Sequence, residues 1–573
     1  MAHGHGQNAL GERVPPWESA PAAPGALSRS FGIGYQRPVI DFPPWTWNIP
    51  EHFNIGVACT DAHLGTAIAD RAAVIVDDDV SGVQQLTYAE LADRTSRFAQ
   101  VLRNLGVAAG QRVFIRLPNC IEYPVVFLGA LKCGAIPVPS SPLLTPEEVD
   151  YLLRDSGAAA IVTDRPSWQA MHETFEGIAH VRHVALVGPG ARAHSQRLGP
   201  IHLDVALASV GPYDPPHPTR AEDPAYLVYT SGTTGYPKGV LHAHRALLGR
   251  QPSSEYWFDF RPDGDRVLHS GKYNWTYVLG TGLMDPLYRG HTAIVHEGSN
   301  DASVWPPLIA KHRATIFIGV PTLYRHIIQR TKFGRDDVPT LRHCMCAGEA
   351  LTDEVLAAWR ERFGLDIYEG LGMTECSYYL CQTKSRPIRP GSAGFAQPGH
   401  DVKLFDPATW QEVPPDTEGM ICIPRNDPDL MLQYWNQPEE TAALFHGNWF
   451  LTGDYARRDR DGYIWFLGRK DDLINSFGYR VSPYEIERVY AEHPEVAEAA
   501  AIGEEVEHGK VLVAAYVVRR PGASLTVDDL IDYGREHLAS YKAPKIVHLV
   551  DALPRTRNGK VLRRALKPPG TGK

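Results

Sequence analysis

Thr230, Ser231, Thr233, Thr234 and Lys238 crowd into one short stretch, interleaved with Gly232 and Gly235 and followed by Gly239. Glycines let a backbone turn tightly and aim successive N–H groups into one space. Serine and threonine hydroxyls add short donors, and lysine adds a mobile positive charge. That inventory suits a polyphosphate. It is not the Gly-x-x-x-x-Gly-Lys-[Ser/Thr] loop, because Gly239 stands where a hydroxyl residue is required.

Four further groups carry chemistry. Gly348 and Glu349 follow the apolar run Leu341–Cys346, and Tyr368, Gly370, Thr374 and Glu375 follow another short one. The glycines permit close approach to a flat ligand, and the Thr374–Glu375 pair offers a hydroxyl and a carboxylate to Mg²⁺. Asp454 lies behind the turn residue Gly453 and suits ribose hydroxyls, while Arg469 can neutralise phosphate or bond the same sugar. Near the end, Pro554-Arg555-Thr556-Arg557-Asn558-Gly559-Lys560 is a basic turn closing on lysine. Each alone has an ordinary reading, and weight comes from their order. His242 and His244 invite a metal, but no third ligand follows at suitable spacing.

The elements that must position these groups read as strands alternating with helices. Ala225–Val228 is an apolar strand entering the loop. Arg112–Leu117, Ala158–Val162, Val184–Val187, Thr292–Val295, Thr315–Ile318 and Leu341–Cys346 are further strand candidates. Helices are expected from Thr87 towards Leu105, over 123–133 and from Thr145-Pro146-Glu147-Glu148, and later over 305–311, 323–329 and 353–363. Such alternation favours parallel sheets flanked by helices. In an open α/β sheet ligands bind at the carboxyl ends of strands, where Glu349 falls.

The expected fold class is therefore α/β. An irregular N-terminal arm spans 1–50, with aromatics around Trp45 and Trp47 pinned on a larger body. A large domain of helix-flanked sheets spans 51–468, with an antiparallel, barrel-like part at about 400–454. A hinge at 469–472 leads to a small, mobile C-terminal α/β domain, 473–573. There, Ser482-Pro483-Tyr484-Glu485 starts a helix, followed by a strand at 511–518, a helix at 527–538 and a strand at 545–550.

At 573 residues several domains are expected. The net charge of −9 argues against nucleic acid as main partner. No apolar run is long enough to span a bilayer, and the first residues lack the pattern of a secretory signal, so a cytoplasmic location is expected. The eight cysteines show no metal spacing; Cys344 and Cys346 should share one face of a strand as packed thiols.

Taken in order, 229–239, 347–349, 370–375, 452–454, 468–472 and 554–560 resemble the adenylate-forming (AMP-binding) superfamily, from about residue 60 onward. That family contains acyl-CoA synthetases, carrier-protein adenylation domains and beetle luciferases. The resemblance implies that Thr230, Ser231, Gly232, Thr233, Thr234 and Lys238 bind the β- and γ-phosphates of ATP, with Gly348, Glu349 and Tyr368 lining the adenine pocket. Thr374 and Glu375 would approach the α-phosphate and Mg²⁺, with Thr230 as second metal contact. Asp454 and Arg469 would take the ribose, and Lys560 would bridge substrate carboxylate and α-phosphate as the catalytic lysine. Asp471 resembles the hinge about which the small domain rotates between half-reactions, and Gly478 leaves room for the pantetheine arm of CoA.

The same resemblance places the acid between His244, Lys272, Trp275, Tyr277, Gly370 and Tyr378. Leu371, where most relatives have an aromatic residue, is similar to the benzoate and aminobenzoate CoA-ligase branch, as are Lys272 and the run Cys376–Tyr379. Trp275 suits a medium-chain acyl-CoA synthetase as well. The expected reaction joins an apolar, aromatic carboxylic acid to CoA through an acyl adenylate. Alternatives are a short- or medium-chain fatty acyl-CoA synthetase and a freestanding enzyme loading a carrier protein. CoA is favoured because no carrier segment is fused to the chain. From another class, a phosphate-loop NTPase or kinase is weakened by Gly239 and by the distal pieces around Asp454 and Lys560. Monomer and homodimer both stay open.

Overall fold

The computed structural model describes residues 42–188, 195–230, 237–469, 472–476, 479–507, 510–555 and 561–566. Ser231, Gly232, Thr233, Thr234, Asp471, Gly478 and Lys560 therefore lie outside the described residues.

Two parallel sheets carry the large part of the chain. One runs Ile136–Ser140, Arg112–Arg116, Ala160–Asp164, His183–Val187, Ile201–His202, all parallel. The other has nine strands, with Ile367–Leu371, His343–Ala347, Ile316–Gly319, Arg266–His269, Thr292–Glu297 and Ala72–Asp78 parallel at its centre. Antiparallel strands close both flanks. The central strands are buried on both faces, the burial expected of parallel strands covered by helices. Against the strand Ile136–Ser140 packs the hairpin Pro224–Thr230 and Lys238–Ala243, joined by Gln433–Tyr434.

Local chemistry starts the helices where the sequence indicates. Thr87 and Thr145 each form a reciprocal capping box, with Glu90 and Glu148, and Pro146 occupies the first turn. Ser482 caps Glu485 N, but the Glu485 carboxylate turns instead to Lys542 Nζ at 2.6 Å. A charged partner outcompetes a backbone N–H there.

The expected turn-rich region is an antiparallel sheet, Gln411–Glu412, Lys403–Asp406, Glu418–Pro424, Trp449–Arg458, with Phe445–His446 and Ile464–Arg469 both on the last. No pairing among the described strands closes it into a barrel. A smaller α/β unit follows, in which Lys510–Arg519 pairs with Ile546–Leu549 and Val496–Glu507. That last strand reads Val-Ala-Glu-Ala-Ala-Ala-Ile-Gly-Glu-Glu-Val-Glu and was not expected. Its alanines and glutamates favour helix, but pairing with an apolar strand overrides a weak local preference.

Of the N-terminal arm, 42–47 packs through its aromatics: Trp47 Nε1 donates to Gly399 O at 3.3 Å, and Phe42 meets Tyr256 edge-on. All eight cysteines are free, and Cys344 and Cys346 are buried. No helix among the described residues is long and apolar enough to cross a membrane.

Trp359 is nearly inaccessible, stacked on Phe363 and edge-on to Tyr324, on the helix covering the nine-stranded sheet. Trp359→Ala is expected to cost about 3–5 kcal/mol through lost burial and the cavity left behind. A calorimetric scan should show the first unfolding transition lowered by several degrees.

Candidate active site

Strand ends assemble the site. His343–Ala347 and Ile367–Leu371 are parallel neighbours, so the segments leaving them, Gly348-Glu349 and Gly372–Glu375, emerge on one edge of the sheet. Gly348 turns the chain there with φ +90, a conformation costly for a residue with Cβ. The Glu349 carboxylate is fixed by the Thr322 hydroxyl at 2.6 Å and the Thr322 N–H at 3.2 Å. Tyr368 stacks on His343, and its carbonyl accepts from Trp257 Nε1 at 3.0 Å. Gly370 is required by close approach: a methyl group there would stand 2.4 Å from the Trp257 ring.

Thr374 and Glu375 are held by residues the sequence reading did not select. The His242 imidazole is buried and its pKa pushed down to about 3 by desolvation, so it is neutral. Its Nε2 bonds the Thr374 carbonyl at 2.8 Å and its ring stacks on Tyr226. The Tyr434 hydroxyl donates to Glu375 Oε1 at 2.6 Å. Tyr434 sits on the short strand that joins the hairpin, and nothing in its surrounding sequence marks this role.

The hairpin places Thr230 directly opposite Lys238. The Lys238 ammonium contacts the Glu440 carboxylate and lies 5.4 Å from the Tyr434 ring centre. Asp454 is paired across strands with Arg469, their side chains 3.8 Å apart, and Tyr379 OH approaches the same carboxylate at 3.5 Å. From the small unit Arg555, five residues before Lys560 in sequence, reaches Glu349 at 3.8 Å and Glu498 at 2.7 Å. Arg325 of the large part meets Glu498 at 3.1 Å. Arg555 is thereby anchored beside the Gly348-Glu349 edge.

Of the expected acid-pocket residues, Trp275, Tyr277 and Tyr378 come together. Tyr277 meets Trp275 and His269 edge-on, and Tyr378 packs against Trp257 and Tyr277. Tyr378 has φ +30, a strained value for a bulky residue. Its hydroxyl stands where a Gly280 side chain would be, 2.3 Å from a methyl placed there. His244 and Lys272 have other partners. Buried His244 accepts the Ile55 N–H at 3.1 Å, and Lys272 pairs with Glu297 at 2.7 Å. Among the described residues no group of three or more His, Cys, Asp and Glu forms a metal cluster.

With this geometry established, known proteins give it a class. The AMP-binding enzyme family matches residues 65–435, and the AMP-binding enzyme C-terminal domain matches 485–560. The chain belongs to the AMP-binding enzyme family. It is 33% identical to benzoate–CoA ligase of Thauera aromatica over 529 residues, covering 91% of this chain and 96% of that one. It is 32% identical to 3-hydroxybenzoate–CoA ligase of Aromatoleum sp. (strain CIB), over 88% of this chain and 94% of the other. An anthranilate CoA ligase solved with anthranoyl-AMP superposes with a TM-score of 0.82 at 28% identity, covering 90% of this chain and 96% of that one.

Glu369, between Tyr368 and Gly370, is buried, and desolvation pushes its carboxyl up from 4.5 to about 8. Below pH 4.5 the folded and unfolded chains both hold this proton. Between 4.5 and about 8 the folded state holds it and the unfolded state does not, so stability falls as pH rises through that window. Glu369→Gln should abolish this contribution. Melting temperatures measured from pH 5 to 9 are expected to decline less steeply for the variant than for the parent enzyme.

Proposed function

We propose that the protein is an AMP-forming carboxylic acid:CoA ligase acting on an aromatic, benzoate-like acid. The observation that carries this is the placement, in an AMP-binding enzyme, of Glu349 and of Thr374–Glu375 just past the ends of neighbouring parallel strands, the second of which packs through Tyr368 into an aromatic cluster with Tyr277 and Tyr378. A carboxylate is a poor electrophile because its carbonyl carbon bears a resonance-stabilised anion. One carboxylate oxygen attacks the α-phosphorus of ATP, the bond to the β-phosphate oxygen breaks, and pyrophosphate leaves. The CoA thiolate then attacks the carbonyl carbon of the acyl adenylate and expels AMP.

The residues fit those needs. Glu349 and Tyr368 form walls for adenine, and Asp454 with Arg469 suits the ribose. Thr230 and Lys238 lead into the phosphate loop. The hydroxyl of Thr230 and the carboxylate of Glu375 are hard oxygen donors of the kind Mg²⁺ takes beside phosphates. When bound, that ion neutralises charge building on the phosphoryl oxygens. Tyr434 orients the Glu375 carboxylate, and His242 fixes the Thr374 backbone. Lys560 is assigned the bridging charge between acid and α-phosphate, and the anchored Arg555 supports that assignment.

The flat rings of Trp275, Tyr277 and Tyr378, gathered in one cluster, suit an aryl acid better than an alkyl chain. A medium-length alkyl chain would have to pass the Tyr378 hydroxyl packed on Gly280. We read the domain scheme as a large part to 468, a hinge at 469–472 containing Asp471, and a small domain that rotates to present Gly478 for the thiol step. The enzyme is read as cytoplasmic, with small molecules as substrates.

Purified enzyme with ATP, Mg²⁺ and CoA is expected to release pyrophosphate only when an aryl acid is added, forming AMP and acyl-CoA. Lys560→Ala should slow adenylate formation about 10²-fold or more, as removal of one preorganised charge does. It should spare CoA transfer from a supplied acyl adenylate. Equal losses in both steps would contradict the role given to Lys560.

A further inference from the structure

Where the large part meets the small unit, four side chains of alternating charge join end to end. Glu349 Oε1 faces Arg555 Nη1 at 3.8 Å, and Arg555 Nη2 donates to Glu498 Oε2 at 2.7 Å. Arg325 Nη2 donates to Glu498 Oε1 at 3.1 Å, and Thr322 takes the other oxygen of Glu349. Thr322 and Arg325 stand three apart on the helix Pro321–Arg330, a spacing that puts both on one face. The contacts thus form a ring: they leave this helix, cross to the small unit at Arg555 and Glu498, and return to the same helix. Both oxygens of each carboxylate are engaged, and the two ends of the Arg555 fork are held by acids on opposite sides of the boundary.

Stability alone is a poor reason for such a ring. Arg325, Glu498, Arg555 and Glu349 are 20%, 22%, 28% and 20% exposed, and ion pairs reached by water contribute little to folding. What the ring fixes is geometry, because a guanidinium held at both ends has a set orientation. Arg555 pairs through its backbone with Val561, and Leu562 N–H donates to Pro554 O at 2.7 Å. Leu553 and Val561 pack with Tyr516 in the core of the small unit. These pairings tie together the two ends of the stretch that carries Lys560 in sequence, and Arg555 ties those ends to the Glu349 edge.

We infer that Glu498 is a positioning residue for the adenylation half-reaction: by holding Arg555 across the boundary, it sets the Lys560-bearing stretch in register with the sheet edge. This rests on the ligase reading above and deepens it. Glu498 acts through Arg555 and does not itself touch the reacting atoms. A small domain that turns for the thiol step must part Arg555 from Glu349 and Glu498 from Arg325, so the ring serves the first half-reaction alone. Arg520 and Glu354, 2.8 Å apart, join the same two bodies without reaching Arg555 and supply the control.

The test measures the two half-reactions separately on the full-length enzyme. Adenylation is read as pyrophosphate–ATP exchange with benzoate and with 3-hydroxybenzoate, and the thiol step as acyl-CoA formation from supplied benzoyl adenylate. In Glu498→Gln, exchange is expected to fall about tenfold or more, as slight misplacement of a catalytic group does, with the thiol step within about twofold of wild type. Arg325→Gln, on the other side of the boundary, should show the same split. The double variant should be no slower than the slower single one, because both remove one coupling. Arg520→Gln should leave both steps near wild type. Should the Glu498 variant not fold, Arg325→Gln decides. Undiminished exchange, equal loss in both half-reactions, or the same loss in Arg520→Gln would overturn the inference and leave the ligase reading standing. A wild-type enzyme that exchanges with neither acid and makes no acyl-CoA would overturn both.

Discussion

Two anions must meet for this chemistry to occur, a carboxylate and a triphosphate, and their mutual repulsion is the constraint the architecture answers. We propose that three cations from distant positions, each held against an acid, answer it. Lys238 is held by Glu440, Arg469 lies beside Asp454, and Arg555 lies between Glu498 and Glu349. Paired in this way, the basic groups are oriented without accumulating unbalanced charge. Preorganised charge of this kind acts where charge develops and needs no reorganisation during the reaction.

Parallel strands make the gathering possible, because they deliver their carboxyl ends to the same side. The close packing around those ends then restricts side chains sharply. Gly370 gives way to Trp257, and Gly372 has no room for a methyl beside the backbone of Tyr378. The glycines near Thr374 and Glu375 are thus required by close packing, against an indole ring at Gly370 and against backbone at Gly372. Tyr434 and His242 continue the same logic, fixing the reactive pair through one side-chain and one backbone contact.

Much of this was legible in the sequence because it is local. The strand entering at Ala225–Val228, the capping boxes at Thr87 and Thr145 and the segments at strand ends each depend on a few adjacent residues. What stayed hidden depends on distance. Arg250 and Asp285 meet across 35 positions, and Tyr434 reaches Glu375 across 59. No periodicity reports either contact. The strand Val496–Glu507 was hidden differently, since its composition favours helix and its partner decides otherwise. His244 and Lys272, expected at the acid pocket, are partnered across long separations, at Ile55 N and Glu297.

The account stands on attack by the acid at the α-phosphorus, and isotope transfer reads that step directly. With an aryl acid labelled with ¹⁸O in both carboxylate positions, the AMP released after CoA transfer should carry one labelled phosphate oxygen, and the pyrophosphate none. Label found instead in inorganic phosphate, with ADP as the nucleotide product, would mean attack at the terminal phosphate and would contradict the adenylate mechanism.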